Sequence, residues 1–140
     1  LVGHKMCPFA QRAWLALEES GIPYKHCECE LYPKPQWLLD LNSRGKVPVL
    51  LDDGKVVVES ETIIDLVVSK AKIPDKDPKL TAEWRRILNN DVMPAGRSGD
   101  KGALRRALGE LDGLLVGPYL AGEEFGVGDI SAAPMLQRLF

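Results

Sequence analysis

Cys7-Pro8-Phe9-Ala10 places a thiol at the start of a predicted helix, just after the short apolar end Leu1-Val2. A cysteine in that position faces backbone N–H groups without carbonyl partners and the positive end of the helix dipole. Both favour the thiolate over the thiol. Pro8 suits the first helical position, because the N–H it lacks would have had no partner there. The chemistry available is nucleophilic attack by sulfur. Position four of the stretch is Ala10 rather than a second cysteine, so an internal Cys-x-x-Cys disulfide cannot form. The competing reading of Cys7 is a buried free cysteine that packs as a small apolar residue.

Two further groups have suggestive chemistry. Glu59-Ser60 lies where a strand gives way to a helix, and a helix N-terminus offers N–H groups to an anion. Taken alone, the pair also reads as a plain N-cap preceded by a surface acid. His26, Cys27 and Cys29 raise the question of a metal. Strand alternation puts His26 opposite both cysteines, which argues against one shared ion. No metal is expected, and both thiols are expected in the core.

Elements to position these residues follow from periodicity. Ala10, Ala13, Trp14 and Leu17 have helical spacing, with Gly21 as the stop. Tyr24 to Leu31 alternates as a half-buried strand, with Cys27, Cys29 and Leu31 on one face. Lys34 to Leu39 reads as a short helix. Val47 to Leu51 and Lys55 to Val58 are β-rich runs joined by Asp52-Asp53-Gly54, a hairpin signal. Ser60 then caps a helix through Ile63, Ile64, Leu66 and Val67. After a Pro- and charge-rich linker at 71–79, helices are predicted over Leu80 to Met93, Ala103 to Val116 and Asp129 to Phe140. Pro94-Ala95-Gly96-Arg97-Ser98-Gly99 should break the first two apart, and Gly109 and Gly113 weaken the middle one. Trp14, Trp37 and Trp84 fall on apolar faces and are expected in the core.

Composition bounds the class. The chain has 140 residues, 45% hydrophobic and 27% charged, with a net charge of −2. That balance is ordinary for a globular protein and gives no global argument for nucleic acid. Arg85-Arg86 and Arg105-Arg106 are surrounded by acids and read as solvated helix faces. No apolar run approaches the roughly 18 residues of a membrane span, and there is no secretory signal. Three cysteines without secretory marks fit a reducing compartment, the cytoplasm or a plastid stroma should a targeting peptide precede Leu1. The absence of an initiator methionine and the apolar run at Phe140 suggest segments missing at both ends.

Cys7-Pro8-Phe9-Ala10-Gln11-Arg12, Lys34-Pro35-Gln36-Trp37, Gly45-Lys46-Val47-Pro48-Val49-Leu50 and Glu59-Ser60 together resemble the N-terminal domain of cysteine-type glutathione transferases. The omega and lambda classes and the dehydroascorbate reductases are the nearest groups. Tyr119 to Ile130 resembles a segment of that family's helical C-terminal domain, with Asp129 as a helix-start aspartate that serves folding and Gly126 where the family favours Ser or Thr. The resemblance implies a thioredoxin-like α/β domain over residues 1–70, with its first strand mostly missing, and a partial all-α domain over residues 80–140.

It implies glutathione as co-substrate and a mixed disulfide on Cys7 that a second glutathione resolves. Ser60 would bind the γ-glutamyl carboxylate and Glu59 the amino group. Val47 would present its backbone to the cysteinyl part, before a cis Pro48. Lys34, the better candidate, and Lys46 could meet the glycyl carboxylate, although either also reads as a solvated surface lysine, and Phe9 would line the site or pack beneath it. The expected reaction is reduction of small disulfides, glutathione adducts or dehydroascorbate. The alternatives are a conjugating glutathione transferase, which usually activates glutathione with a Ser or Tyr where this chain has Cys7, and a non-catalytic glutathione-binding or scaffold module. A monomer or homodimer is expected, without a nucleic-acid or membrane partner.

Overall fold

The computed structural model describes residues 1–139. Its chain divides into two compact units between Ile73 and Pro74. The first unit runs β1 (Val2–Gly3), α1 (Pro8–Ser20), β2 (Cys27–Glu28), α2 (Gln36–Leu41), β3 (Val49–Asp52), β4 (Lys55–Val58) and α3 (Ser60–Ala71). The sheet order is β2-β1-β3-β4, with β1 and β2 parallel and the other pairs antiparallel. The parallel pair requires a crossover, and α1 supplies it.

Helix α1 buries Ala10, Ala13, Ala16 and Leu17, and it ends where Gly21 turns left-handed at φ 65°. Its small residues let it pack closely beside α3, whose Ile63, Ile64 and Val67 are buried. Each large apolar side chain so buried contributes about 1.5–3 kcal/mol. Asp53 and Gly54 both hold positive φ, 48° and 78°. That is the two-residue turn whose twist matches paired strands.

Several sequence expectations need correction. The strand expected over Tyr24 to Leu31 is only Cys27–Glu28, because its partner β1 offers just Val2 and Gly3. Cys29 packs with Val2, Ala10, Leu38, Val47 and Val49, but Cys27 lies on the edge strand and is exposed. Ser60 does not cap α3. Glu59 is the cap residue, and Ser60 is the first residue of the helix with its side chain buried. Trp37 is 41% exposed, whereas Trp84 is buried at 4%; Trp14 is half-buried and stacks on His26 with ring centroids 4.4 Å apart.

The second unit is helical: α4 (Pro78–Ile87), α5 (Met93–Ser98), α6 (Lys101–Gly113) and α7 (Val127–Leu136), followed by a 3-10 turn at Gln137–Leu139. Phe140, the expected end of the last helix, lies outside the described residues. Within the stretch Pro94–Gly99 the break falls at Gly99, left-handed at φ 72°, and not at Pro94. A proline lacks an N–H and collides with the carbonyl four residues back. Here the chain widens into a π turn over Leu88–Val92, with the Met93 N–H reaching back to the Leu88 carbonyl, and continues to Ser98. Leu88 and Val92 are fully buried, which holds the turn in place. Gly126 has no side chain to cap α7, so Asp129 works from inside the helix, its two carboxylate oxygens accepting from the N–H groups of Leu120 and Gly126 at 3.0 Å each. Among the described residues, no helix is long and apolar enough to cross a membrane.

Candidate active site

Cys7 is the cap residue of α1, with extended backbone (φ −91°, ψ 113°). Its N–H donates to the His4 carbonyl and its carbonyl accepts from the Gln11 N–H, both at 2.9 Å. Pro8 follows as the first helical residue, so the thiol stands at the positive end of the helix, half-buried. Its Sγ lies 4.0 Å from the Val47 carbonyl oxygen. The Val47–Pro48 bond is cis. Two segments forty residues apart in sequence thus meet at the sulfur.

The loop that carries Val47 is held by Asn42. Its Nδ2 donates to the Lys46 carbonyl at 2.9 Å, and its Oδ1 accepts from the Arg44 N–H at 3.2 Å. Gly45 has φ 57°, and a Cβ there would stand 2.8 Å from Lys34 Cδ and 3.2 Å from Lys34 Nζ. The Lys34 ammonium therefore lies over the loop two residues before Val47. Lys46 has an exposed side chain, and its carbonyl is the part that enters this frame.

At the start of α3, Glu59 holds φ 68° and ψ 120°, a conformation that costs a non-glycine residue about 1–3 kcal/mol and gathers at functional sites. Its carboxylate pairs with Arg44. Ile63 takes the Glu59 carbonyl at 3.0 Å. By helix geometry, the first-turn N–H groups before Ile63 have no carbonyl within α3 to donate to. Ser60 sits in that turn, and its hydroxyl oxygen accepts from Arg12 Nε at 2.8 Å. Phe9 lies under the same arginine, 5.2 Å from guanidinium carbon to ring centroid.

Sequence reasoning missed Arg12, Arg44 and Asn42. For Arg12 a signal existed: it precedes Ala13 and stands four residues before Ala16, so it falls on the buried side of α1. Arg44 and Asn42 carried none, because their partners are set by how the loop closes.

The remaining cysteines behave differently from each other. Burial pushes the Cys29 thiol up from its ordinary value of 9.0, and the negative charges of Cys27, Glu30 and Glu28 add to this. The folded state thus favours the neutral thiol. That stabilisation is present below the ordinary thiol range and is lost as pH rises through the higher folded value. Iodoacetamide at pH 8 should label Cys7 and Cys27 in the native chain and leave Cys29 unmodified until urea unfolds it, as peptide mass spectrometry would show. Equal labelling of Cys27 and Cys29 would mean that Cys29 is not held in the core.

Residues 1–75 match the family model described as "Glutathione S-transferase, N-terminal domain", and residues 94–140 match "Glutathione S-transferase, C-terminal domain". Glutathione S-transferase DHAR2 of Arabidopsis thaliana is 35% identical over 142 residues, spanning 95% of this chain and 67% of that protein. A probable glutathione transferase omega-2 of Caenorhabditis briggsae is 30% identical over 156 residues, spanning 97% of this chain and 62% of that one. Among solved structures, glutathione transferase Omega 3C from Trametes versicolor superposes with a TM-score of 0.88 at 28% identity, over 99% of this chain and 71% of its own.

Proposed function

Because the chain belongs to the glutathione S-transferase family, we propose that it performs glutathione-dependent thiol transfer with Cys7 as the nucleophile. One observation carries this reading: Cys7 begins α1, half-buried, with Ala10 where a second cysteine would make the reaction internal. The Cys7 thiolate attacks the glutathione sulfur of a mixed disulfide R–S–S–G. The Cys7–glutathione disulfide forms, and R–S⁻ leaves and takes up a proton. A second glutathione thiolate then attacks the glutathione sulfur of that bond, releasing glutathione disulfide and restoring the Cys7 thiolate. One free glutathione is consumed, the other unit having entered in the mixed disulfide; the two leave as glutathione disulfide and one R–S–H is produced. With dehydroascorbate as acceptor, two free glutathione molecules supply the two electrons.

Glutathione is held, in this reading, by groups at the start of α3, on the Val47 loop and beside Gly45. Its γ-glutamyl carboxylate lies at the first turn of α3 against Ser60. Its amino group reaches Glu59 and shares or replaces Arg44, an exposed pair worth at most about 1 kcal/mol. Its cysteinyl backbone runs along Val47 before Pro48, as an added strand would. Lys34, over Gly45, takes the glycyl carboxylate more directly than Lys46. Phe9 lies beneath.

The test is intact-protein mass after incubation with glutathione disulfide, beside Cys7→Ser. One adduct that is absent from the variant and removed by free glutathione supports the reading. No adduct on a chain shown folded by circular dichroism overturns it.

A further inference from the structure

Arg12 is, among the described residues, the one charged side chain that is buried, at 3% exposure. Burying a charge costs several kcal/mol unless it is paired and hydrogen-bonded. Its partners here lie at the two ends of the site. Nε donates to Ser60 Oγ at 2.8 Å, Nη1 stands 3.4 Å from the Glu61 carboxylate, and the guanidinium covers Phe9, two residues after the nucleophile. Arg12 is five residues along α1 from Cys7, about 7.5 Å on the helix axis.

The direction of the Ser60 bond matters. A hydroxyl has one proton to give and two lone pairs to receive. Arg12 has no acceptor, so it can only occupy a lone pair of Ser60, and the Ser60 proton is left for another acceptor. That proton belongs to the first turn of α3, and a helix N-terminus also favours an anion. The guanidinium stands behind the same hydroxyl with its positive charge screened little by water. Each of these features favours a carboxylate in front of Ser60.

We propose that Arg12 is a positioning residue that holds the Ser60 hydroxyl as a donor to the γ-glutamyl carboxylate of glutathione. This rests on the thiol-transfer reading and on its placement of that carboxylate. The competing role is a brace between α1 and α3 with no bearing on ligand. A brace would act on every thiol co-substrate alike. A positioning residue acts only on those with a γ-glutamyl group.

Steady-state disulfide reduction by the 140-residue chain, with glutathione or with cysteinylglycine as the thiol, separates the two. Cysteinylglycine lacks the γ-glutamyl carboxylate. Arg12→Met should raise KM for glutathione about 10- to 30-fold, the worth of one charge-assisted contact, while kcat falls less than about threefold. KM for cysteinylglycine should move less than about twofold, since that ligand never meets Ser60. Ser60→Ala alone should raise the glutathione KM about tenfold, yet add less than about twofold in the Arg12→Met background.

Arg12→Lys retains the charge without the Nε donor and should fall between wild type and Arg12→Met. It also supplies the comparison should the methionine variant not fold. That Glu61 is one-third exposed allows its carboxylate to return to water when Arg12 is removed. Equal losses with both thiols, or additive effects of the two substitutions, would overturn the proposal and leave Arg12 as a brace. Turnover that survives Cys7→Ser, or a wild-type chain without preference for glutathione over cysteinylglycine, would instead overturn the functional reading and the proposal with it.

Discussion

Cys7→Ser should lower glutathione-dependent disulfide reduction by at least about a thousandfold, a loss of about 4 kcal/mol of transition-state stabilisation. Serine keeps the size and the cap position, so the first turn of α1 and the packing beneath it should persist. What disappears is the sulfur. An oxygen cannot form the mixed disulfide, and its hydroxyl is scarcely ionised near neutral pH. Affinity for S-methylglutathione should therefore change less than about threefold, because the groups assigned to binding are elsewhere. The same variant separates the rival reactions. A conjugating transferase needs glutathione itself as the thiolate and should retain or improve its conjugating rate with a hydroxyl at position 7. Residual disulfide reduction within tenfold of wild type would move the nucleophile to another thiol, and the exposed Cys27 would be the one to replace next.

The second large effect is on stability. Gly128→Ala would place a Cβ 2.1 Å from Leu120 Cδ2 and 3.2 Å from its Cγ. Alanine at an open helical position is better than glycine by about 1 kcal/mol, so without that contact the change would stabilise α7. Leu120 cannot retreat: it is 1% exposed, and its N–H is tied to the Asp129 carboxylate. Overpacking of this kind costs about 1–3 kcal/mol, and here it outweighs the helix preference. A net loss of about 1 kcal/mol should lower the Tm of the transition that includes the second unit by about 5 °C. Leu120→Ala should also destabilise the chain, by about 2–5 kcal/mol for the lost side chain. In the double variant the cost should be well below the sum, because the added Cβ enters the space vacated. A Gly128→Ala chain as stable as wild type would mean that Leu120 has another rotamer open to it.

The parts of this protein that were legible in its sequence share one property: their causes lie within a few residues. The thiol at a helix start is local, made by Cys7 and Pro8 together. So is the Asp53-Gly54 hairpin, because both residues tolerate positive φ. The stop at Gly21 and the apolar stripes of α1 and α3 follow from periodicity alone. Four short motifs, read in order, were enough to reach the family, since each is a compact unit of backbone geometry and side-chain type.

What only the tertiary structure decided depends on partners distant in sequence. Cys7 meets Val47 across 40 residues, and Arg12 meets Ser60 across 48. Neither spacing has a period to reveal it. Cys27 and Cys29 look alike in an alternating strand, yet only Cys29 is covered, because burial depends on which residues arrive from Leu38, Val47 and Val49. Pro94 reads as a break, and a π turn anchored by buried Leu88 and Val92 carries the helix through it. Ser60 reads as a cap, but a buried guanidinium claims its oxygen. Local residue types determined which chemistry this chain could carry, and long-range packing determined which side chains stand close enough to take part, because contact distance is set by the closed fold rather than by spacing along the chain.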